Sequence, residues 1–127
     1  MTASLKSEID VFQRKFLKRI IGIRWPEKIK NEDLYKRTGE IEWNKNVKKR
    51  RLTWYGHLLR LNENTPAKIA LGEAQRKTKK PKGRPKTTWM ANIKKETELF
   101  TRGPIHMLAK KRTEWRTQVR RAMSNDD

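Results

Sequence analysis

Residues 43–61 read WNKNVKKRRLTWYGHLLRL, and no other stretch constrains the fold as tightly. At about 100° per residue, Trp43, Val47, Trp54, Leu58 and Leu61 fall on one stripe, with Leu52, Tyr55 and Leu59 widening it on one side. The spacing predicts a helix that faces the core. Its first turns carry Lys45, Lys48, Lys49, Arg50 and Arg51, a cluster that repels itself unless a polyanion screens it. Gly56 lies inside the helix at a cost of roughly 1 kcal/mol relative to alanine, which predicts that a neighbouring backbone comes close there.

The rest of the chain reads as smaller helices laid against this one. Leu5, Ile9, Phe12, Phe16 and Ile20 recur at helical spacing with Leu17 beside them, opened by Ser4 as N-cap and closed by Gly22. In the connector that follows, Pro26 biases Trp25 to extended backbone, and Trp25 is expected to plug the core. Asn31 caps a short helix over 32–38 that stops at Gly39. Thr65 and Pro66 form an N-cap and N1 pair ahead of a short apolar segment, 67–71. From 72 to 86 apolar content vanishes, and the tract cannot bury enough surface to offset its ordering entropy, so a mobile loop is expected. Trp89, Met90, Ile93, Thr97 and Phe100 then share a face. Gly103 and Pro104 break that helix, and Ile105, Leu108, Trp115, Val119 and Ala122 define the last one.

Strand-like alternation persists nowhere, and there is no internal repeat. The expected fold is all-α, a compact bundle of about five or six helices with one mobile basic loop. Residues 1–71 and 87–123 supply the helices of a single domain, 72–86 the loop and 124–127 a disordered tail.

Across 127 residues, 33 lysines and arginines face 14 acidic residues, a formal charge of +19. Such an excess points to a polyanionic partner, nucleic acid before an anionic membrane surface, because the helices read as core-facing. The chain has no cysteine, which excludes disulfides, thiolate metal sites and cysteine nucleophiles. No apolar run approaches the roughly 20 residues that span a bilayer, and no signal-peptide core is present. The expectation is a soluble intracellular protein with no membrane partner. Basic clusters at 48–51, 76–86 and 110–112 suit nuclear import, so its compartment is nuclear or cytoplasmic.

The residues expected to hold nucleic acid are Lys45, Lys48, Lys49, Arg50, Arg51, Arg60, Arg76, Lys77, Lys79, Lys80, Lys82, Gly83, Arg84, Lys86, Lys110, Lys111 and Arg116. Within them, Gly83, Arg84 and Pro85 spell the core of an AT-hook: glycine admits close backbone approach, and proline holds the arginine extended for a narrow A·T minor groove. The other reading is that Pro85 opens the next helix. Arginines also alternate with aromatics at Arg24–Trp25, from Arg51 to Tyr55, and at Trp115–Arg116, a pattern suited to stacking on single-stranded bases. Tryptophans at helical spacing are more often core than platform.

Catalysis has no visible address. His57 and His106 lie at no ligand spacing, and Asp10, Asp33, Asp126 and Asp127 are scattered or terminal. No catalytic residue, metal site or cofactor is expected.

The ordered motifs IIGIRW, NEDLYKRTG, KKRRLTWYGHLLRL, GRPKTTW and KRTEWR resemble the segment downstream of the polymerase domain in the reverse transcriptases of non-LTR retrotransposons. The resemblance covers residues 12–119, with matching positions at Gly22, Trp25, Asn31, Glu32, Arg37, Gly39, Arg51, Trp54, Gly56, His57, Arg60, Gly83, Arg84, Pro85, Trp89, Arg112 and Trp115. It implies a non-catalytic module that holds template RNA or target DNA, with the polymerase portion of a parent retroelement protein as a further partner. It does not imply polymerase activity, because the family's catalytic aspartates belong to a part this chain lacks. Ala91, Asn92 and Lys111 stand where the family often has aspartate nearby, which makes this surface more basic. The competing function is a protein-interaction module that docks an acidic partner through the basic loop.

Overall fold

The computed structural model describes residues 3–76, 82–83, 88–98, 100 and 104–124. Among them the fold is all-α, with seven helices and no strand: α1 Ala3–Ile20, α2 Asn31–Thr38, α3 Trp43–Arg60, α4 Pro66–Gln75, α5 Trp89–Thr97, α6 Ile105–Lys110 and α7 Arg112–Ser124. The chain divides into two compact units, residues 1–48 and 49–127, with the division falling inside α3.

In the N-terminal unit, local chemistry sets the helix ends. Gly22 takes the left-handed conformation after α1, where the Ile23 amide reaches back to the Lys18 carbonyl at 3.0 Å and the chain turns. Gly39 ends α2 in the same way, with φ of 67°. Ser4 lies inside α1 and donates to Glu8 instead of capping, and Lys30 takes the N-cap position of α2 one residue before Asn31. The packing of α1 departs further from its apolar stripe. Phe12, Phe16 and Ile20 are half or more exposed, while Gln13 and Leu17 are buried. The Gln13 carboxamide explains the burial: its Nε2 donates to the Ile41 carbonyl at 2.9 Å, and its Oε1 accepts from the Trp43 amide at 2.8 Å. Each polar end has a partner, which offsets the cost of taking the group out of water. Leu34 of α2 is fully buried. Trp25 is no core plug; it stands 91% exposed beside a cis peptide bond to Pro26.

The C-terminal unit has an apolar core drawn from every one of its helices. Leu52, Tyr55 and Leu58 of α3 pack with Leu71 of α4, Ile93 of α5, Leu108 and Ala109 of α6, and Trp115, Val119 and Ala122 of α7. Each large side chain buried in this way contributes roughly 1.5–3 kcal/mol relative to exposure. Trp115 is the centrepiece. Its indole N–H donates to the Leu52 carbonyl at 3.0 Å, and its rings meet Tyr55 and Phe100 at centroid distances of 6.0 and 5.1 Å. The close approach expected at Gly56 comes from this indole and not from a backbone: a methyl group on Gly56 would overlap the Trp115 ring. Leu52, Tyr55, Gly56 and Leu59, at i, i+3, i+4 and i+7, therefore form the inward face of α3, and Trp54 lies outside it.

Two further boundaries differ from expectation. The helix that begins at Pro66 runs on to Gln75, past the apolar segment and into the tract read as a loop. The last helix divides at Lys111, whose extended backbone (φ −94°, ψ 98°) separates α6 from α7 although no glycine or proline marks the place. Thr88 opens α5, its hydroxyl accepting from the Ala91 amide at 3.2 Å. Residues 77–81, 84–87 and 125–127, and with them most of the basic tract and the tail, lie outside the described residues.

Candidate nucleic-acid interface

The basic residues selected from the sequence divide into engaged and solvent-facing groups. Arg51 is engaged: on the inner part of α3 it makes a two-pronged ion pair with Glu96 of α5, Nε to Oε2 at 3.1 Å and Nη2 to Oε1, with both side chains mostly buried. That fork fixes α3 to α5 and is a structural element of the unit. Lys111 pairs with Glu114 at 2.9 Å and Arg76 with Glu73 at 3.0 Å, both exposed and each worth little to stability. Lys45 and Lys48 are half-buried in the first turns of α3, each with an interaction of its own.

Lys49, Arg50, Lys82, Lys110 and Arg116 face solvent. Gly83 is exposed with φ of 122°, a conformation that favours glycine. Lys77, Lys79, Lys80, Arg84 and Lys86 lie outside the described residues.

Arg60 stands apart. It ends α3, and its Nη1 donates to the Ala109 carbonyl at 2.9 Å, at the C-terminal end of α6 where partial negative charge collects. Burial, followed by the nearby charges of Arg112 and Arg116, pulls its guanidinium below the usual arginine range.

The solvent face of α3 carries aromatic groups as well as charge. Trp54 is 53% exposed and leans on His57 with ring centroids 5.1 Å apart, and Arg50 lies one turn before it on the same face. An exposed indole beside a cation offers a base a flat surface and its phosphate a counter-charge. Tyr55 and Trp115, two further aromatics of the alternating pattern, are buried in the core.

A second basic ridge includes Arg116, which the sequence placed in the interface, and Arg112 and Arg120, which it did not. Arg112, Arg116 and Arg120 recur at i, i+4 and i+8 along α7, all exposed, on a face that borders the buried Trp115, Val119 and Ala122. Lys94 and Lys95 of α5 are exposed too. The four-residue spacing of the three arginines was the available signal.

No helix of the described residues is long and apolar enough to cross a membrane. Comparison with protein-family models, curated proteins and solved structures returned no match.

Proposed function

We propose that the chain is a nucleic-acid-binding helical module that holds RNA template or target DNA through phosphate contacts, performs no catalysis of its own, and works in the nucleus or cytoplasm. This is the role implied by its resemblance to the post-polymerase segment of retrotransposon reverse transcriptases, whose polymerase portion is then a natural partner. The observation that carries the reading is where the charge resides. The C-terminal unit holds 21 lysines and arginines against 7 acidic residues, whereas the N-terminal unit holds 12 against 7. Glu63, Glu73, Glu96 and Glu114 are already paired with Lys68, Arg76, Arg51 and Lys111. Lys49, Arg50, Lys94, Lys95, Lys110, Arg112, Arg116 and Arg120 meanwhile face water. A surface of that density opposes its own folding until a polyanion lies against it.

The test is fluorescence anisotropy of the full chain with single-stranded RNA, A·T-rich duplex and G·C-rich duplex across a salt series. Affinity is expected to fall on the order of a thousandfold between about 50 and 200 mM salt, the signature of counterion release from six or more phosphate contacts. Trp54→Ala is expected to weaken single-strand binding about tenfold and leave duplex binding nearly unchanged. An affinity that barely responds to salt overturns the proposal and turns attention to an acidic protein partner.

A further inference from the structure

The corner where α3 ends and α6 passes into α7 gathers three arginines. Arg60 arrives from α3 and is anchored through one N–H to the Ala109 carbonyl, while its Nε is shielded from water and meets no acceptor. Arg112 begins α7 and Arg116 follows one turn later on the same face, both exposed. Burial, and after it the charges of Arg112 and Arg116, holds the Arg60 guanidinium below the usual arginine range. The one acidic residue in the first turn of α7, Glu114, is paired with Lys111, and no carboxylate of the described residues pairs with any of the three arginines. Like charges held together around a partly buried guanidinium repel one another, and an anion seated among them offsets that repulsion.

The kind of anion follows from charge and shape. A backbone phosphodiester carries a single negative charge, which the dispersed lysines along the surface can meet. A phosphomonoester carries about −1.5 to −2 charges and three strong acceptor oxygens. Planar guanidinium forks bind such a group two bonds at a time, which ammonium groups do not.

We propose that Arg60, Arg112 and Arg116 form a seat for a phosphomonoester, the terminal phosphate of a bound strand, an assignment that rests on the nucleic-acid reading above. The module then holds strand ends in preference to strand interiors. The cluster draws on both ends of the C-terminal unit's sequence, so it exists only when that unit is folded.

The experiment compares one single-stranded oligonucleotide in three forms, 5′-phosphorylated, 3′-phosphorylated and without terminal phosphate, against the full chain near physiological salt. One phosphorylated form is expected to bind about tenfold tighter than the unmodified form, and the form that gains tells which end is seated. Arg112→Gln with Arg116→Gln abolishes that ratio. Lys28→Gln with Lys30→Gln removes the same charge from exposed positions of the N-terminal unit and preserves it. Equal affinity for all three forms overturns the seat and leaves general binding standing. If no form binds, the general reading has failed, and the seat is decided by NMR titration with a nucleoside 5′-monophosphate and with inorganic phosphate. Shifts at the Arg60, Arg112 and Arg116 side chains with the monophosphate, absent in the double variant, sustain it. Unmoved resonances, or a response to inorganic phosphate alone, overturn it.

Discussion

The two units of this chain keep their structure by different means. Residues 49–127 bury a continuous apolar cluster, closed by an indole seated on a glycine. Among the described residues of 1–48, burial falls on Leu17, Leu34 and the side chain of Gln13, while Phe12, Phe16, Ile20, Ile41 and Trp43 remain substantially exposed. One unit is held by the area it removes from water, the other to a larger degree by a polar clamp that fixes backbone. The comparison teaches that similar helical periodicity can describe a core in one place and an open face in another. Periodicity orders side chains around an axis and is silent on which side neighbours approach.

The comparison breaks first at Trp115. Trp115→Ala is expected to cost the C-terminal unit about 3–5 kcal/mol, seen as a lowered urea midpoint and faster amide exchange across α3 and α7. Gly56→Ala is expected to cost about 1–3 kcal/mol by overlap with the indole, although alanine is the better helix former by roughly 1 kcal/mol. Combined with Trp115→Ala, the same Gly56 substitution should become neutral or slightly stabilising, because the overlap has no partner left. Simple additivity of the two would show that the indole is not what requires glycine.

In the N-terminal unit, Gln13→Ala is expected to cost about 1–3 kcal/mol by leaving the Ile41 carbonyl and the Trp43 amide without their partner. A gain of stability on Gln13→Leu would show that apolar area governs this unit too. The smallest effect belongs to the exposed tryptophans. Trp25→Ser and Trp54→Ser are expected to change stability by less than about 0.5 kcal/mol in the same denaturation experiment, which separates the proposed role of Trp54 in binding from any role in folding.

Much of the all-α framework was legible because helix ends are local events. Gly22, Gly39 and the Thr65–Pro66 pair act through backbone conformation alone, which a sequence states directly. The faces of α1 and α3 were read less well, for related reasons. On α1 the apolar stripe looked inward, but a glutamine able to satisfy a loop carbonyl and a loop amide took the interior. On α3 the centre of the buried face is a glycine, which a search for side chains passes over, and the neighbouring Trp54 drew the stripe outward. The break at Lys111 was invisible because Leu108 and Trp115 keep helical spacing across it, and both are buried. Within the candidate interface, a charge count could not tell Arg51, locked to Glu96, from Arg50, which faces water. Nor could it show that Arg60 is anchored at the end of α6, since that depends on a contact between residues 49 positions apart.

The unequal placement of the tryptophans has an optical consequence. Trp115 is sealed inside its unit, whereas Trp25 and Trp54 stand in water. Intrinsic emission therefore contains a blue component shielded from acrylamide and a red component open to it. A strand lying over Trp54, as proposed, dims the part of the red light that Trp54 emits and leaves the blue, whereas loss of the core shifts the blue toward the red. The unlabelled protein thus reports occupancy and integrity in two colours at once.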